Sequence, residues 1–185
     1  MAEAAAVKKA GSATDRVRAN RTLGLVVAFG VLVLDQVAKW IVVHPLQLEA
    51  RSLGGEGIPL LPFFRFIFTQ NRGVSMGFLT ASSETTRWLL VALTAAISAF
   101  VFAWLWREKR RDDSIALALV LGGALGNILD RVRLGYVVDF ADLHFGDIHP
   151  FLVFNVGDAA ITIGVLLLLV RALLTGDRKK PSEDK

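Results

Sequence analysis

The chain contains no cysteine, which removes disulfide bonds, thiolate nucleophiles and thiolate metal ligands together. Histidine is scarce. His44, His144 and His149 are the only three, and none stands in a metal-ligand spacing such as H-E-x-x-H. No G-x-S-x-G occurs, so a serine nucleophile on a strand–helix elbow has no support. Internal repeats are absent too, which weakens an inverted-repeat transporter reading. What the 185 residues do hold is apolar: 54% are hydrophobic and the mean hydropathy is +0.51. With the apolar residues gathered in a few long runs, this is the profile of a small polytopic membrane protein folded as one unit.

Met1 to Arg21 is polar and basic, lacks apolar periodicity, and reads as a flexible cytoplasmic tail. Leu23 to Val43 is long enough to cross a hydrocarbon core of about 30 Å and reads as an uncleaved first span. Asp35 and Lys39 interrupt it at a spacing of four, which places acid and base on one helical face. Two readings stay open for them: a packing ion pair, or direct support of an active site. From residue 45 to residue 72 the pattern turns to period two. Leu46, Leu48 and Ala50 form one alternation and Phe64, Phe66 and Phe68 another, separated by the Gly54, Gly55, Gly57 turn. A small extramembrane antiparallel β-sheet is expected, its phenylalanine face resting on the bilayer surface or on the helices. Asn71 and Gly73 then mark a tight turn.

Trp88 to Trp106 is uncharged with tryptophan at both ends, the pattern of a span with interfacial anchors. A third span runs from Ser114 to Leu129, rich in the small residues Gly122, Gly123, Ala124 and Gly126 that let helix backbones approach. Phe151 to Val170 makes a fourth. The expected architecture is thus a mainly α integral membrane protein with four transmembrane helices and the sheet on the outer face. One domain covers residues 22–174, with an outer loop over residues 131–152 and a basic tail over residues 175–185. The N-terminal tail, the Arg107 to Arg111 loop and the tail from Arg171 hold 14 of the 21 lysines and arginines, so both termini are expected in the cytoplasm.

That topology gathers polar residues at one membrane face. Asn127 and Asp130 end the third span, Asp158 lies within the first turns of the fourth, Asp139 sits between them, and Asn71 precedes the second. Asp35 is only about 12 Å from the outer end of its helix. Ionisable residues near hydrocarbon are functional-site candidates. The most abundant candidate group is the carboxylate: Asp130, Asp139, Asp142, Asp147 and Asp158. Two carboxylates held close share a proton, so one can donate while the other accepts from a water, which is the engine of an aspartyl protease. Arg131 and the asparagines could hold such a pair in place. On the residues alone, Asp130 rivals Asp139 as a member of it.

Five blocks, DQVAK (Asp35 to Lys39), NRG (Asn71 to Gly73), GNILDR (Gly126 to Arg131), VVDF (Val137 to Phe140) and FNVGDAAI (Phe154 to Ile161), together resemble the lipoprotein signal peptidases, also called type II signal peptidases. The resemblance implies an aspartic endopeptidase of the bacterial inner membrane, active site toward the periplasmic face. Its substrate would be a diacylglyceryl prolipoprotein, cut immediately before the lipidated cysteine. It implies Asp139 and Asp158 as the catalytic pair, with Asn127, Asp130, Arg131 and Asn155 orienting the pair and substrate, and Asp35, Lys39 and Asn71 shaping the site. Only this sorting leaves Asp142 and Asp147 as solvated loop residues. It implies no metal, no cofactor and no nucleic acid. A monomer embedded in membrane lipids is expected, open to inhibitors of the globomycin type. Gly157 stands where the family usually has alanine, and NRGVSMGF departs from N-x-G-A-A-F. Three alternatives remain: a small ion-coupled transporter or channel using the same carboxylates, an inert membrane scaffold, and a presenilin-like protease. The last would pair Tyr-Asp with Gly-x-Gly-Asp, whereas Tyr136 is three residues from Asp139 and Asn155 replaces the first glycine.

Overall fold

The computed structural model describes residues 2–53, 57–73, 84–146 and 148–176. The turn residues Gly54 and Gly55, the segment from Val74 to Phe78, Asp147 and the tail beyond Gly176 lie outside the described residues. The described residues form eight elements in the order α1 (Ala2–Val43), α2 (Leu48–Leu53), β1 (Ile58–Leu61), β2 (Phe64–Asn71), α3 (Glu84–Arg107), α4 (Arg111–Leu134), β3 (Val137–Leu143) and α5 (Val156–Gly176). Four stretches among them are long and apolar enough to cross a membrane: Val17–Val43, Glu84–Arg107, Arg111–Leu134 and Val156–Leu174.

α4 is the centre of the bundle. Of its most apolar window 56% is buried, against 22%, 22% and 17% for the windows of α1, α3 and α5, whose outer faces are left for lipid. Small residues make that position workable. A methyl group on Gly122 would come within 2.5 Å of the Ala28 carbonyl of α1, one on Gly126 would strike the Asp35 carboxylate, and one on Gly123 would strike the Gly157 carbonyl of α5. With so little side chain at these contacts the backbones close to short range. α4 stops at Gly135, which takes φ 87° and returns its N–H to the Arg131 carbonyl at 3.2 Å. Such a left-handed cap suits glycine and turns the chain directly into β3.

The sheet is three-stranded and antiparallel in the order β1-β2-β3. Its phenylalanine face does not lie open: Phe64, Phe66 and Phe68 pack against buried Val42, Leu48, Val138 and Phe140.

Four sequence-based expectations differ from what is seen. α1 continues back to Ala2, since alanine, lysine and glutamate favour helix even without an apolar stripe. Residues Leu48 to Leu53 form α2 rather than a strand. LEARSL is made largely of good helix formers, and six residues are too few for period two to overrule them. β3 was hidden in the expected outer loop, because its first six residues are all buried and show no polar–apolar alternation. Finally, α5 starts at Val156 rather than Phe151. Phe154 is held by β3 instead, exchanging backbone bonds with Ala141 at 2.8 and 3.0 Å.

Candidate active site

The Phe154–Ala141 bridge brings the start of α5 up against β3. Asn155 comes next, and it caps α5: its Oδ1 accepts the Asp158 N–H at 2.8 Å, while its own N–H reaches Asp158 Oδ2 at 3.3 Å. This reciprocal box is how a helix N-terminus satisfies two orphan donors. It also locks the Asp158 side chain to the start of α5. The remaining part of the Asn155 amide points at β3, its Nδ2 donating to Asp139 Oδ1 at 2.6 Å and to Asn127 Oδ1 at 3.1 Å.

Asp139 and Asp158 therefore share one asparagine between them. Asn127 of α4 donates to Asp158 Oδ1 at 2.7 Å, and Asn71, last residue of β2, donates to Asp139 Oδ2 at 2.9 Å. Asn71 is held by its own turn, accepting the Gly73 N–H at 2.9 Å. Sheet register does the rest, since Thr69 pairs with Asp139 and Asn71 with Val137. Asp139 is fully buried. Burial pushes its pKa up to about 6; the negative charge of Asp158 adds to the rise, and the bonds from Asn71 and Asn155 oppose it.

Behind the pair lies a cationic anchor. Lys39 Nζ is 2.7 Å from Asp35 Oδ2, 2.9 Å from Asp130 Oδ2 and 3.1 Å from Asn127 Oδ1. Asp35 Oδ1 accepts the Gly157 N–H at 2.8 Å, and Asp130 Oδ2 accepts the Val138 N–H at 3.1 Å. The Asp35–Lys39 pair ties α1 to α4, and Lys39 also touches Asn127, the residue that binds Asp158. Asp130 is committed to Lys39, Gln36 and β3. Arg131 is half-buried, near enough to Asp158, Asp139 and Asp130 to feel their charges, and makes no ion pair among the described residues. Its Nε is buried without a hydrogen-bond partner there.

Sequence reasoning overlooked two contributors and misjudged a third. Gln36 donates to Asp130 Oδ1 at 2.9 Å and to the Gly126 carbonyl at 3.3 Å; an amide inside an apolar span was the signal. Arg87 donates to the carbonyls of Arg131 and Val132 at 2.7 and 2.6 Å, clamping the end of α4 to α3. Asp142, expected to be solvated, is buried and holds Arg65 Nε at 2.7 Å and His149 Nδ1 at 3.0 Å. Burial alone would raise its pKa, yet the bonds and charges of Arg65 and His149 hold it below the usual carboxylate range. The strand pairing that buries Asp142 opposite Arg65 was invisible without β3.

The family Signal peptidase (SPase) II matches over residues 27–174, a stretch that contains the aspartates, their asparagines and the lysine anchor. The chain belongs to the signal peptidase II family. It is 58% identical over 165 residues to a lipoprotein signal peptidase of Rhizorhabdus wittichii, covering 89% of this chain and 94% of that protein. A lipoprotein signal peptidase of Sphingopyxis alaskensis is 54% identical over 166 residues, covering 87% and 94%. Among solved structures, a bacterial membrane enzyme determined by the in meso method at 1.9 Å resolution aligns with a TM-score of 0.70 at 28% identity, covering 82% of this chain and 93% of that one. A second, at 2.3 Å resolution, gives 0.68 at 28% identity, covering 89% and 95%. The protein is thus a multi-pass membrane peptidase of the signal peptidase II family. The transporter or channel alternative has no support in these relationships.

Proposed function

We propose that this peptidase is of the aspartic type and removes the signal peptide of diacylglyceryl-modified bacterial prolipoproteins, cutting immediately before the lipidated cysteine. The observation that carries the catalytic assignment is the pair Asp139 and Asp158, joined through Asn155, with the Asp139 pKa pushed up to about 6. A carboxyl whose pKa is raised toward neutrality can both hold and release a proton, as general acid–base hydrolysis needs. The substrate assignment follows from the relatives, which are lipoprotein signal peptidases.

A water held by the pair loses its proton to the ionised carboxylate as its oxygen attacks the scissile carbonyl carbon. The protonated carboxyl hydrogen-bonds the carbonyl oxygen. When the C–N bond breaks, a proton passes from the pair to the departing amine, so acid and base roles are shared and the pair titrates as a unit. Asn71, Asn127 and Asn155 hold the two carboxylates, Lys39 with Asp35 and Asp130 holds the asparagine framework, and Arg131, close to Asp158 and Asp139, helps orient the pair and substrate. The acyl chains of the substrate remain in lipid while the peptide lies between the sheet and the helices. In this reading the chain works as a monomer in the bacterial inner membrane, its basic termini in the cytoplasm and its aspartates toward the periplasmic face, where globomycin-type inhibitors would compete with substrate.

Replacing Asp139 or Asp158 by asparagine is expected to lower cleavage of a diacylated precursor by at least about 10³-fold, with membrane insertion unchanged. Full activity in either variant overturns the assignment. Comparing the diacylated precursor with its unlipidated form tests the substrate separately, since equal rates would refute the lipid requirement and leave the aspartates standing.

A further inference from the structure

Away from the aspartates the bundle carries a recess that the hydrolysis does not use. It lies between α1 and α3 with α4 as its floor, a cavity of about 430 Å³ lined by residues that include Leu25, Phe29, Leu32, Ala95, Phe102 and Leu125. Leu25 to Leu32 covers about 10 Å of helix. Apart from Ser98 the lining of the recess is apolar, the surface a hydrocarbon chain would meet.

Its end sets it apart from an ordinary lipid-facing seam. Phe102 packs on Trp106 with ring centroids 5.7 Å apart. The guanidinium of Arg21 sits 4.8 Å from the centre of a Trp106 ring, and its Nε donates to the Trp106 carbonyl at 2.6 Å. Arg18 and Arg21 continue the face of α1 that carries Leu25, Phe29 and Leu32, at helical spacings of three and four. Exposed Lys109 and Arg110, in the connection from α3 to α4, add two more charges, and Asn20 ties that connection to α1 through the Lys109 carbonyl at 2.8 Å. The groove therefore runs from apolar walls into an indole and a basic cluster, at the end of the bundle opposite Asp139. Charge and shape together match one constituent of a bilayer, a phospholipid with an anionic headgroup.

We propose that this groove is a binding site for an anionic glycerophospholipid, one acyl chain lying between α1 and α3 and the phosphate held by Arg18, Arg21, Lys109 and Arg110. The lipid bridges α1 and α3 along the length where the cavity separates them.

The test uses the full chain in nanodiscs of phosphatidylcholine doped with phosphatidylglycerol, released into mild detergent and weighed by native mass spectrometry. One phosphatidylglycerol is expected to stay with each chain, preferred over phosphatidylcholine by on the order of tenfold. The double variant Arg18→Gln, Arg21→Gln should lose that preference. Ala99→Phe, which fills the groove and leaves the arginines in place, should lose the retained lipid. Equal retention of the two lipids, or unchanged retention in either variant, overturns the proposal. So does displacement of the lipid by soluble glycerol phosphate, or a photo-crosslinker at position 99 that captures a protein segment instead of lipid.

Discussion

The Asn155 side chain serves a helix end and a carboxylate at once, and the two duties can be separated. Serine keeps a cap acceptor but has no amide to reach Asp139, whereas alanine keeps neither. Asn155→Ser should therefore be about 1 kcal/mol more stable than Asn155→Ala in thermal or chemical unfolding, while both lose cleavage to the same extent. Activity restored by serine would mean that the cap, and not the amide bridge, is what catalysis requires. Asn71 permits a test of a different kind. Its bond to Asp139 favours the carboxylate, so Asn71→Ala should raise the Asp139 pKa further above 6. The pair loses its shared proton as pH climbs through that value, and the alkaline limb of kcat/KM should accordingly move to higher pH in the variant. An unmoved or acid-shifted limb would contradict this. The same proton affects stability: the folded chain binds it more tightly than the unfolded one, so stability falls as pH rises from the ordinary carboxylate range through about 6 and levels off above.

Among the elements, α4 carries the tightest constraint, because each of its glycines meets a different neighbour. A methyl on Gly126 would strike Asp35, and that carboxylate cannot retreat while it holds Lys39 and the Gly157 N–H. Gly126→Ala should cost about 1–3 kcal/mol. Gly30→Ala on α1, where a methyl meets nothing within 4 Å, should be neutral or stabilising by up to about 1 kcal/mol. Unfolding midpoints in detergent decide it, and equal effects at the two positions would mean that α4 is less closely packed than described. Strand β3 places Asp139 between β2 and α5, yet it was the least legible element. VVDFADL has no alternation to read because almost all of it is buried, whereas the four long apolar runs announce their helices by length alone.

At the scale of the whole molecule, Lys39 joins what the sequence keeps far apart. Its ammonium meets Asp35 of α1 and Asn127 and Asp130 of α4, and Asp130 in turn holds β3. Lys39→Met would leave two buried carboxylates without their cation. A loss of about 3–5 kcal/mol is expected, read as a lowered unfolding midpoint. Adding Asp35→Asn to Lys39→Met should recover part of it, since one uncompensated charge is removed with its partner; a strictly additive double variant would show that the three groups do not act as one network.

Several features were settled by local sequence. Run length fixed the four spans, a spacing of four put Asp35 and Lys39 on one face, and Asn71 with Gly73 encoded their turn, because each depends only on residues a few positions apart. Only the tertiary structure decided which aspartates meet. Apart from the family resemblance, Asp139, Asp142 and Asp130 look alike in the chain, and the resemblance does not say what each one touches. Pairing of β3 with β2 set Asp142 on Arg65, and the close approach of α4 to α1 placed Asp130 on Lys39. The Phe154–Ala141 bridge brought Asn155 and Asp158 to Asp139. Each contact joins residues remote in sequence, whose meeting depends on backbone pairing and helix packing that no local pattern specifies.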